Sequence, residues 1–252
     1  MLIISDVHAA FDALAEVARA GKPLLVLGDL LNFIDYRTGD GMAMEVYGHD
    51  FVWSMIDNRA RGDWHASRTL WADVSRGREQ ELRERVREAA LRQYEQTTNA
   101  LRGATAYVTF GNVDWPEALR DCLPDGSQFM DGDVAEIEGY RVGFVGGGSP
   151  TPVGARGEVS HEDMASKLDA IGPVDILCSH LPPSIEPLYR DVVTGRLERC
   201  SPPILDYIKT YQPRYHYFGD VHQPQAQRWR IGDTVSINVG YFRATRRAVE
   251  HV

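Results

Sequence analysis

The chain has 252 residues, enough for one large domain with a sizeable core or for two small domains. Its 27 Lys and Arg residues are outnumbered by 36 Asp and Glu residues, which gives a formal net charge of -9. Because this balance repels a phosphate backbone, we expect no stable nucleic-acid partner. The three cysteines have no C-x-x-C spacing, so neither a disulfide framework nor a thiolate zinc site is indicated.

The start of the chain passes from a short apolar run directly into a polar block, Asp6-Val7-His8, without the charged and apolar regions of a signal peptide. No apolar run approaches the length of a membrane span. Together with the cysteine pattern, these features lead us to expect a cytoplasmic protein without a membrane partner. They carry no information on the oligomeric state.

Short apolar runs alternate with helical patterns over much of the chain. The runs end at polar residues or glycine, as buried strands do where they meet loops, and residues 11–18 have helical spacing after the first run. Strand, helix and strand in succession predict an α/β architecture with parallel pairing. The predicted strands are residues 2–4, 24–27, 107–110, 174–178 and 215–218.

Two segments predict hairpins instead of crossovers. Apolar residues from Val134 to Val145 surround a turn at Gly139, and residues 228–239 repeat this pattern around Gly232-Asp233. Antiparallel hairpins beside parallel strands predict two sheets within one chain.

Residues 40–103 interrupt this alternation and are rich in helix formers. One apolar stripe runs along residues 82–101 and stops before Gly103, which suits a helix C-cap. We therefore predict a helical insertion, or cap, over 40–103 within a single domain of residues 1–252. For its aromatic residues, core packing is favoured over a substrate lid. A second stripe comprises Met44, Tyr47, Phe51 and Met55.

Five polar blocks follow predicted strands, and the carboxyl ends of strands in α/β sheets are where ligands collect. Each block contains residue types that bind hard or borderline metal ions. Together they could hold two metals with one carboxylate shared. The candidate metal ligands are Asp6, His8, Asp29, Asn112, His180, Asp220 and His222.

Each block alone also has an ordinary structural explanation. Asp6 could cap the next helix, His180 could be a satisfied buried histidine, and residues after glycine are common in turns. However, the i, i+2 spacing of Asp6 and His8 recurs in Asp220 and His222, and this spacing places both members of a pair on one side of the chain. Two such pairs are harder to attribute to separate capping needs, so the set predicts a two-metal hydrolase.

The ordered set resembles the calcineurin-like metallophosphoesterase family, whose pattern runs D-x-H, G-D-x-x-D/N, G-N-H-D/E, H and G-H-x-H, and the match spans residues 6–222. The resemblance implies an α/β fold, a four-layer α/β/β/α sandwich with two central mixed sheets. It implies a hydrolase of phosphate esters in which a hydroxide bridging two metals attacks phosphorus in line with the leaving oxygen. The first metal would be held by Asp6, His8, Asp29 and His222, and the second by Asp29, Asn112, His180 and Asp220.

Two positions depart from the family pattern. Val113 replaces the histidine after Gly-Asn and cannot donate a proton, so the general acid is unassigned, as in some bacterial members that cleave phosphodiesters. His65 or His161 would serve if folding brings either near, and neither is assigned. Asp220 replaces the first histidine of G-H-x-H with a harder oxygen ligand, which favours Mn²⁺, Mg²⁺ or Fe.

Three carboxylate ligands against two divalent ions leave one net positive charge, whereas histidine in place of Asp220 would leave two. The lower charge still attracts a diester monoanion but favours a dianionic monoester less. We therefore predict a phosphodiesterase acting on a small nucleotide-like diester with two divalent ions, Mn²⁺ first and Fe, Mg²⁺ or Zn²⁺ as alternatives.

Arg37 is a candidate substrate-binding residue through a phosphate contact, with a surface salt bridge as the equal alternative. Competing hypotheses are a phosphomonoesterase or a pyrophosphohydrolase using the same site, because the fold alone does not choose among these activities. A non-catalytic binding scaffold is the alternative from a different class.

Overall fold

The computed structural model describes residues 1–151 and 154–251. The chain forms two compact units, the first comprising Met1–Leu30 with Gln96–Val252 and the second Leu31–Glu95. The strands, in chain order, are β1 (Leu2–Ile4), β2 (Leu24–Leu27), β3 (Ala106–Thr109), β4 (Ser127–Phe129), β5 (Asp133–Ile137), β6 (Tyr140–Val145), β7 (Ile176–Ser179), β8 (Tyr215–Phe218), β9 (Arg228–Ile231), β10 (Thr234–Asn238) and β11 (Val249–Glu250).

Helices lie between most of these strands and within the second unit. In chain order they are α1 (Phe11–Ala18), α2 (Met42–Tyr47), α3 (His49–Arg61), α4 (Trp64–Ser75), α5 (Glu79–Leu101), α6 (Pro116–Cys122), α7 (His161–Ile171), α8 (Glu186–Tyr189), α9 (Pro202–Tyr211) and α10 (Phe242–Thr245). Within the described ranges, no helix combines the length and the apolar character that crossing a membrane requires.

The first unit contains two mixed sheets. One has the order β11-β1-β2-β3-β4, in which β1 to β4 are parallel and β11 is antiparallel to β1. The other has the order β5-β6-β7-β8-β10-β9, in which four central parallel strands are flanked by an antiparallel strand at each edge. The predicted α/β class and both predicted hairpins, β5–β6 and β9–β10, are confirmed.

The two sheets share a buried apolar layer. Ile3 and Leu25 from the first sheet belong to one cluster with Phe144 and Ile176 from the second. Each fully buried aliphatic or Phe side chain contributes about 1.5–3 kcal/mol relative to exposure, so this layer fixes the sheets against each other. Their strand ends are therefore held at a constant separation.

Helices cover the outer faces of the sheets and complete the α/β/β/α layers. On the second sheet, Leu168 of α7 and Ile208 of α9 pack with Leu177 of β7. Both helices begin at serine caps, where Ser160 accepts a hydrogen bond from Asp163 N and Ser201 accepts one from Ile204 N. On the first sheet, α6 packs against β4.

The second unit consists of α2, α3, α4 and most of α5, and its bounds differ from the expected insertion of residues 40–103. The stripe predicted from Met44 to Met55 is carried by two helices, because Gly48 adopts φ 86° between them. Tyr47, Phe51 and Trp71 pack around one another with ring centroids 4.7 to 5.0 Å apart. The aromatic stripe therefore forms the core of this unit, whose assignment as an insertion within one domain stays a prediction.

Candidate metal centre

The seven candidate metal ligands all lie in the first unit, on loops that follow β1, β2, β3, β7 and β8. Because these strands run parallel within their sheets, their carboxyl ends converge. The loops after β1 and β2 are joined by backbone hydrogen bonds from Asp6 N to Gly28 O at 3.1 Å and from His8 N to Asp29 O at 2.8 Å. His180, which follows β7 of the other sheet, is joined to this edge through Nδ1, 2.8 Å from Leu27 O, so both sheets present polar blocks there.

Asp6, His8 and His222 form the first group, in which one ligand atom from each residue lies within 4.8 Å of the others. Nε2 of His222 is 3.4 Å from Oδ1 of Asp6, and Nε2 of His8 is 3.9 Å from that same oxygen. His8 also lies 3.5 Å from Oδ2 of Asp29. The fold therefore brings together the four residues expected at the first metal.

The second group surrounds His180, which is fully buried. Its Nε2 lies 3.6 Å from Oδ1 of Asp29 and 3.6 Å from Oδ1 of Asp220. One terminal atom of the Asn112 amide is 3.3 Å from this Nε2 and 3.2 Å from Oδ1 of Asp220. Asp220 therefore points into the cluster with the other three residues expected at the second metal.

Asp29 stands between the two groups. Its Oδ2 faces His8 at 3.5 Å and its Oδ1 faces His180 at 3.6 Å. The backbone N–H of Val113 donates to Oδ1 at 3.1 Å and helps to fix the carboxylate plane. A carboxylate with one oxygen toward each group has the orientation that a ligand shared by two metals needs.

Several of these residues adopt left-handed backbone conformations. The φ angles are 59° at Asp6, 40° at His8, 54° at Asp29 and 64° at Asp220. Such conformations cost about 1–3 kcal/mol for residues other than glycine, and Asp tolerates them better than most. Strained backbone that recurs at the ends of several strands is typical of functional sites.

Two glycines allow the loops to approach each other. A Cβ on Gly111 would overlap Oδ1 of Asp29, and a Cβ on Gly219 would overlap Oγ of Ser5 and Oδ2 of Asp6. Any larger residue at these positions would displace the carboxylates. The absence of a side chain at Gly111 and Gly219 therefore allows the carboxylates of Asp29 and Asp6 to take their positions in the site.

Asp114 supports the same loops and was not among the predicted site residues. It is fully buried, its Oδ1 accepts a hydrogen bond from Leu30 N at 3.0 Å, and its Oδ2 accepts one from Gly111 N at 2.9 Å. The signal that could have identified it is an acidic residue directly after Gly-Asn-Val in a block that follows a buried strand. Tyr241, whose ring stacks on His222 at 3.8 Å between centroids, carried no comparable sequence signal.

Burial and mutual repulsion shift the pKa values in the cluster. Burial, reinforced by Asp114, Asp6 and Asp220, raises the pKa of Asp29 to about 8 against the opposing effect of His180. Burial also acts to raise the pKa of Asp6, but the hydrogen bond and charge of His222 with the charges of His180 and His8 outweigh it and lower this pKa to about 2.

The pKa values of two histidines in the cluster are raised. Burial acts to lower the pKa of His180, but Asp29 and Asp220 outweigh it and raise this pKa well above the ordinary value. The pKa of His222 is raised in the same way, mainly through Asp6. Without a cation, protons on Asp29, His180 and His222 therefore offset part of the negative charge of the cluster. Buried carboxylate, imidazole and amide donors of this kind fit divalent metal ions.

The remaining predicted residues lie as follows. Arg37 belongs to the second unit, in a turn where its backbone N–H donates to Oδ1 of Asp35 at 2.8 Å, and its role as a phosphate contact stays a prediction. His65 is in α4 of the second unit, and His161 is exposed at the first position of α7. Val113 contributes its backbone N–H to Asp29 but has no side-chain proton donor.

Solved structures resemble this chain over most of its length. The chain is similar to the crystal structure of TT1561 of Thermus thermophilus, with 13% sequence identity, a TM-score of 0.56, and coverage of 98% of this chain and 96% of that chain. This likeness supports the two-sheet fold. The solved structure of a novel archaeal phosphodiesterase has 11% identity and a TM-score of 0.36 over 97% of this chain and 85% of that chain. No curated protein sequence matches the chain.

The sequence profile of the calcineurin-like phosphoesterase family matches residues 1–224, which include all seven candidate ligands. The predicted resemblance is thereby confirmed, and so is the predicted enzyme class. The chain belongs to the calcineurin-like phosphoesterase family and is a hydrolase that acts on phosphate esters.

Proposed function

We propose that this hydrolase is a metal-dependent phosphodiesterase that acts on a small nucleotide-like diester. The observation that carries the proposal is the position of Asp29, with one carboxylate oxygen toward each of two clusters of nitrogen and oxygen donors. This arrangement supports two cation sites that share one ligand. The same donors suit Mn²⁺, with Fe, Mg²⁺ and Zn²⁺ as alternatives.

The contacts around Asp29 and His180 support two ligand sets. The first site would use Asp6, His8, Asp29 and His222, and the second Asp29, Asn112, His180 and Asp220. Divalent cations held by these residues would supply an activated water for attack on phosphorus and would neutralise charge on the phosphoryl oxygens. The protein's own contribution is to hold the donors in place through the loop hydrogen bonds and through Asp114.

The charge of the ligand set supports a diester over a monoester. Asp220 faces His180 at 3.6 Å inside the cluster, so its negative charge belongs to the site. With Asp6 and Asp29, it leaves less net positive charge for the substrate than a histidine at position 220 would. A diester monoanion suits this charge better than a dianionic monoester.

The residue at position 113 affects how the leaving group is protonated. Its side chain cannot protonate the departing oxygen, and the three histidines that the structure gathers at the described site belong to the ligand sets. We infer that the preferred substrate has a leaving group that departs with little help from a protein acid, or one that water protonates.

The domain organisation and the cellular compartment are also proposals. We propose a single phosphoesterase domain over residues 1–252, with the helical segment expected at 40–103 as its insertion, in a cytoplasmic protein. Three free cysteines in the described structure support a reducing compartment. The negative net charge supports a small phosphorylated substrate over a nucleic acid.

The test compares a generic diester, bis(p-nitrophenyl) phosphate, with the corresponding monoester after loading the protein with Mn²⁺. We expect kcat/KM for the diester to exceed that for the monoester by about tenfold, and Asp29→Asn to lose about a hundredfold or more through the shared ligand. Asp12→Asn is the matched control, because Asp12 is an exposed carboxylate on α1.

Two results would contradict the proposal. A strong monoester preference would support the phosphomonoesterase hypothesis, and preference for a diphosphate would support a pyrophosphohydrolase. Metal analysis decides the scaffold hypothesis, because less than about one ion per chain together with no hydrolysis would favour a non-catalytic protein.

A further inference from the structure

The segment after β10 is fastened to two of the loops that carry candidate ligands. Asn238 donates from its side-chain amide to Val221 O at 2.9 Å, and its Oδ1 accepts a hydrogen bond from Gly240 N at 2.7 Å. These bonds join the turn after β10 to the loop that contains Asp220 and His222. This segment lies beyond residue 224, where the family match ends.

The same segment is also bonded to the loop after β1. Phe242 N donates to Ser5 O and Arg243 N donates to Asp6 O, both at 3.1 Å. The Arg243 guanidinium donates to the carbonyl oxygen of His8. Residues 241–243 are therefore held against the loops that carry the first candidate metal site.

Tyr241 occupies the position between these two anchored loops. Its ring is stacked on the imidazole of His222, with centroids 3.8 Å apart and planes 5° from parallel. It also meets His8 edge-on at 5.8 Å, and the two imidazoles contact each other at 5.4 Å and 78°. Tyr241 is 8% exposed, so the ring has little room to move.

These contacts restrict how the two imidazoles rotate. A histidine that binds a metal must present one nitrogen in a fixed direction, and neighbouring groups commonly set that direction. His222 is the more exposed of the two, with 31% of its side chain accessible against 13% for His8. The stacked ring therefore supplies restraint where burial supplies least.

We propose that Tyr241 is a positioning residue that orients His222 and His8 for metal binding through its aromatic ring. The inference rests on the proposed function, because it takes these histidines to be ligands of the first metal. We assign the role to the stacked ring, which phenylalanine also supplies. Tyr241→Phe therefore keeps it, and Tyr241→Met, which fills similar space without a ring, loses it.

The test is Mn²⁺ titration of the purified full chain, with free ion followed by electron paramagnetic resonance. We expect Tyr241→Met to weaken one of the binding steps by about tenfold and Tyr241→Phe to stay within about twofold of wild type. Tyr140→Leu is the matched control, because Tyr140 makes an edge-on contact with His251 at 4.8 Å at the beginning of β6, away from the strand ends that carry the site. This control should leave Mn²⁺ affinity unchanged.

The wild-type protein supplies a second measurement, which does not depend on whether a variant folds. Stacking predicts that the ring protons of His222 in metal-free protein are shifted upfield in the NMR spectrum and return toward ordinary values in Tyr241→Met. Normal shifts in wild type would overturn the proposal.

The remaining outcomes separate this proposal from the proposed function. Mn²⁺ affinity of Tyr241→Met within about twofold of wild type, with Asp6→Asn defective, would overturn the role of Tyr241 and leave the metal site standing. Mn²⁺ affinity weakened in Tyr241→Phe as much as in Tyr241→Met would assign the role to the hydroxyl and overturn the role of the ring. Failure of wild type to bind Mn²⁺ would overturn both.

Discussion

At Asp220 the chain carries a carboxylate where the family pattern has histidine, and the structure turns that carboxylate toward His180 at 3.6 Å. Its backbone is left-handed, with φ 64°, a conformation in which Asp, Asn and His are enriched. The backbone conformation is therefore compatible with histidine as well as with aspartate. The difference between the two residues at this position is one of charge and ligand chemistry.

Asp220→His should consequently fold and change the site. We expect the variant to bind Zn²⁺ more tightly relative to Mn²⁺, because imidazole replaces a hard oxygen donor. We also expect the diester-to-monoester ratio of kcat/KM to fall by about threefold to tenfold, because one negative charge is removed near the substrate. Metal titration and parallel assays check both.

Asp206→His is a control for that experiment. It makes the same substitution on α9, which carries none of the candidate ligands. Unchanged metal preference and an unchanged substrate ratio in Asp220→His would show that Asp220 is no ligand. The same two measurements on the control should match wild type.

At the scale of secondary structure, three parallel strands of the second sheet are joined by a buried polar network. Nε2 of His216 on β8 lies 2.8 Å from Oγ of Ser179 on β7, and Nδ1 lies 3.3 Å from Oγ of Ser236 on β10. All three residues are fully buried. Because His180 follows Ser179, the network helps to fix the end of β7 that carries a candidate ligand.

This network predicts acid sensitivity. Burial lowers the pKa of His216 from 6.5 to about 3, so between these values the unfolded chain binds a proton that the folded chain does not. Stability therefore falls as the pH falls through this window, by up to about 1.4 kcal/mol per pH unit from this residue. Urea unfolding of metal-free protein should show a shallower pH dependence for His216→Gln than for wild type below about pH 6.

His161→Gln is the matched control, because His161 is exposed at the first position of α7. It should leave the pH dependence of unfolding unchanged. Equal slopes for wild type and His216→Gln would show that His216 is not held neutral in the folded protein.

The sequence predicted the longer elements better than the short ones. The central strands and α1 have clear apolar runs or helical spacing, because they bury whole faces. By contrast, β4 and β11 have only three and two residues with polar content, so they are defined by pairing to neighbouring strands. Gly48 likewise divides one predicted helical stripe into two helices, since the apolar spacing continues across the break.

At the scale of the first unit, the fold gathers the buried carboxylates of Asp6 and Asp29 with that of Asp220, whose side chain is 17% exposed. Without a cation this arrangement is unfavourable, as the raised pKa of Asp29 shows. Between pH 3.8 and about 8, a carboxyl group with this raised pKa binds a proton in the folded state but not in the unfolded state. The contribution of Asp29 to the free energy of unfolding of the metal-free protein therefore falls as the pH rises from 3.8 toward about 8.

Metal binding should reverse that loss. At about a hundredfold excess of Mn²⁺ over its Kd, we expect the free energy of unfolding to rise by about 2.7 kcal/mol, or Tm to rise by roughly 5–10 °C. At one fixed Mn²⁺ concentration the rise should be larger near pH 8 than near pH 6, because at lower pH the ion must displace protons from Asp29 and the histidines. Thermal unfolding with Mn²⁺ and with a chelator measures the difference.

Asp29→Asn gives the comparison for this prediction. The variant lacks the shared carboxylate, so its Tm should respond little to Mn²⁺ and its metal response should depend less on pH. An equal Tm increase in wild type and Asp29→Asn would place the stabilising ion elsewhere in the protein.

The family, the α/β class, the two hairpins and the seven candidate ligands could be predicted from the sequence alone, because local residue order fixes strand ends and the spacing of polar blocks. The three-dimensional fold was needed to show that Asp29 faces both groups and that Asp220 points inward. It was also needed to show that Asp114 is bonded to Leu30 and that Tyr241 is stacked on His222. These relations join residues far apart in the chain. They depend on how two sheets pack and how loops approach at Gly111 and Gly219, which no local pattern specifies.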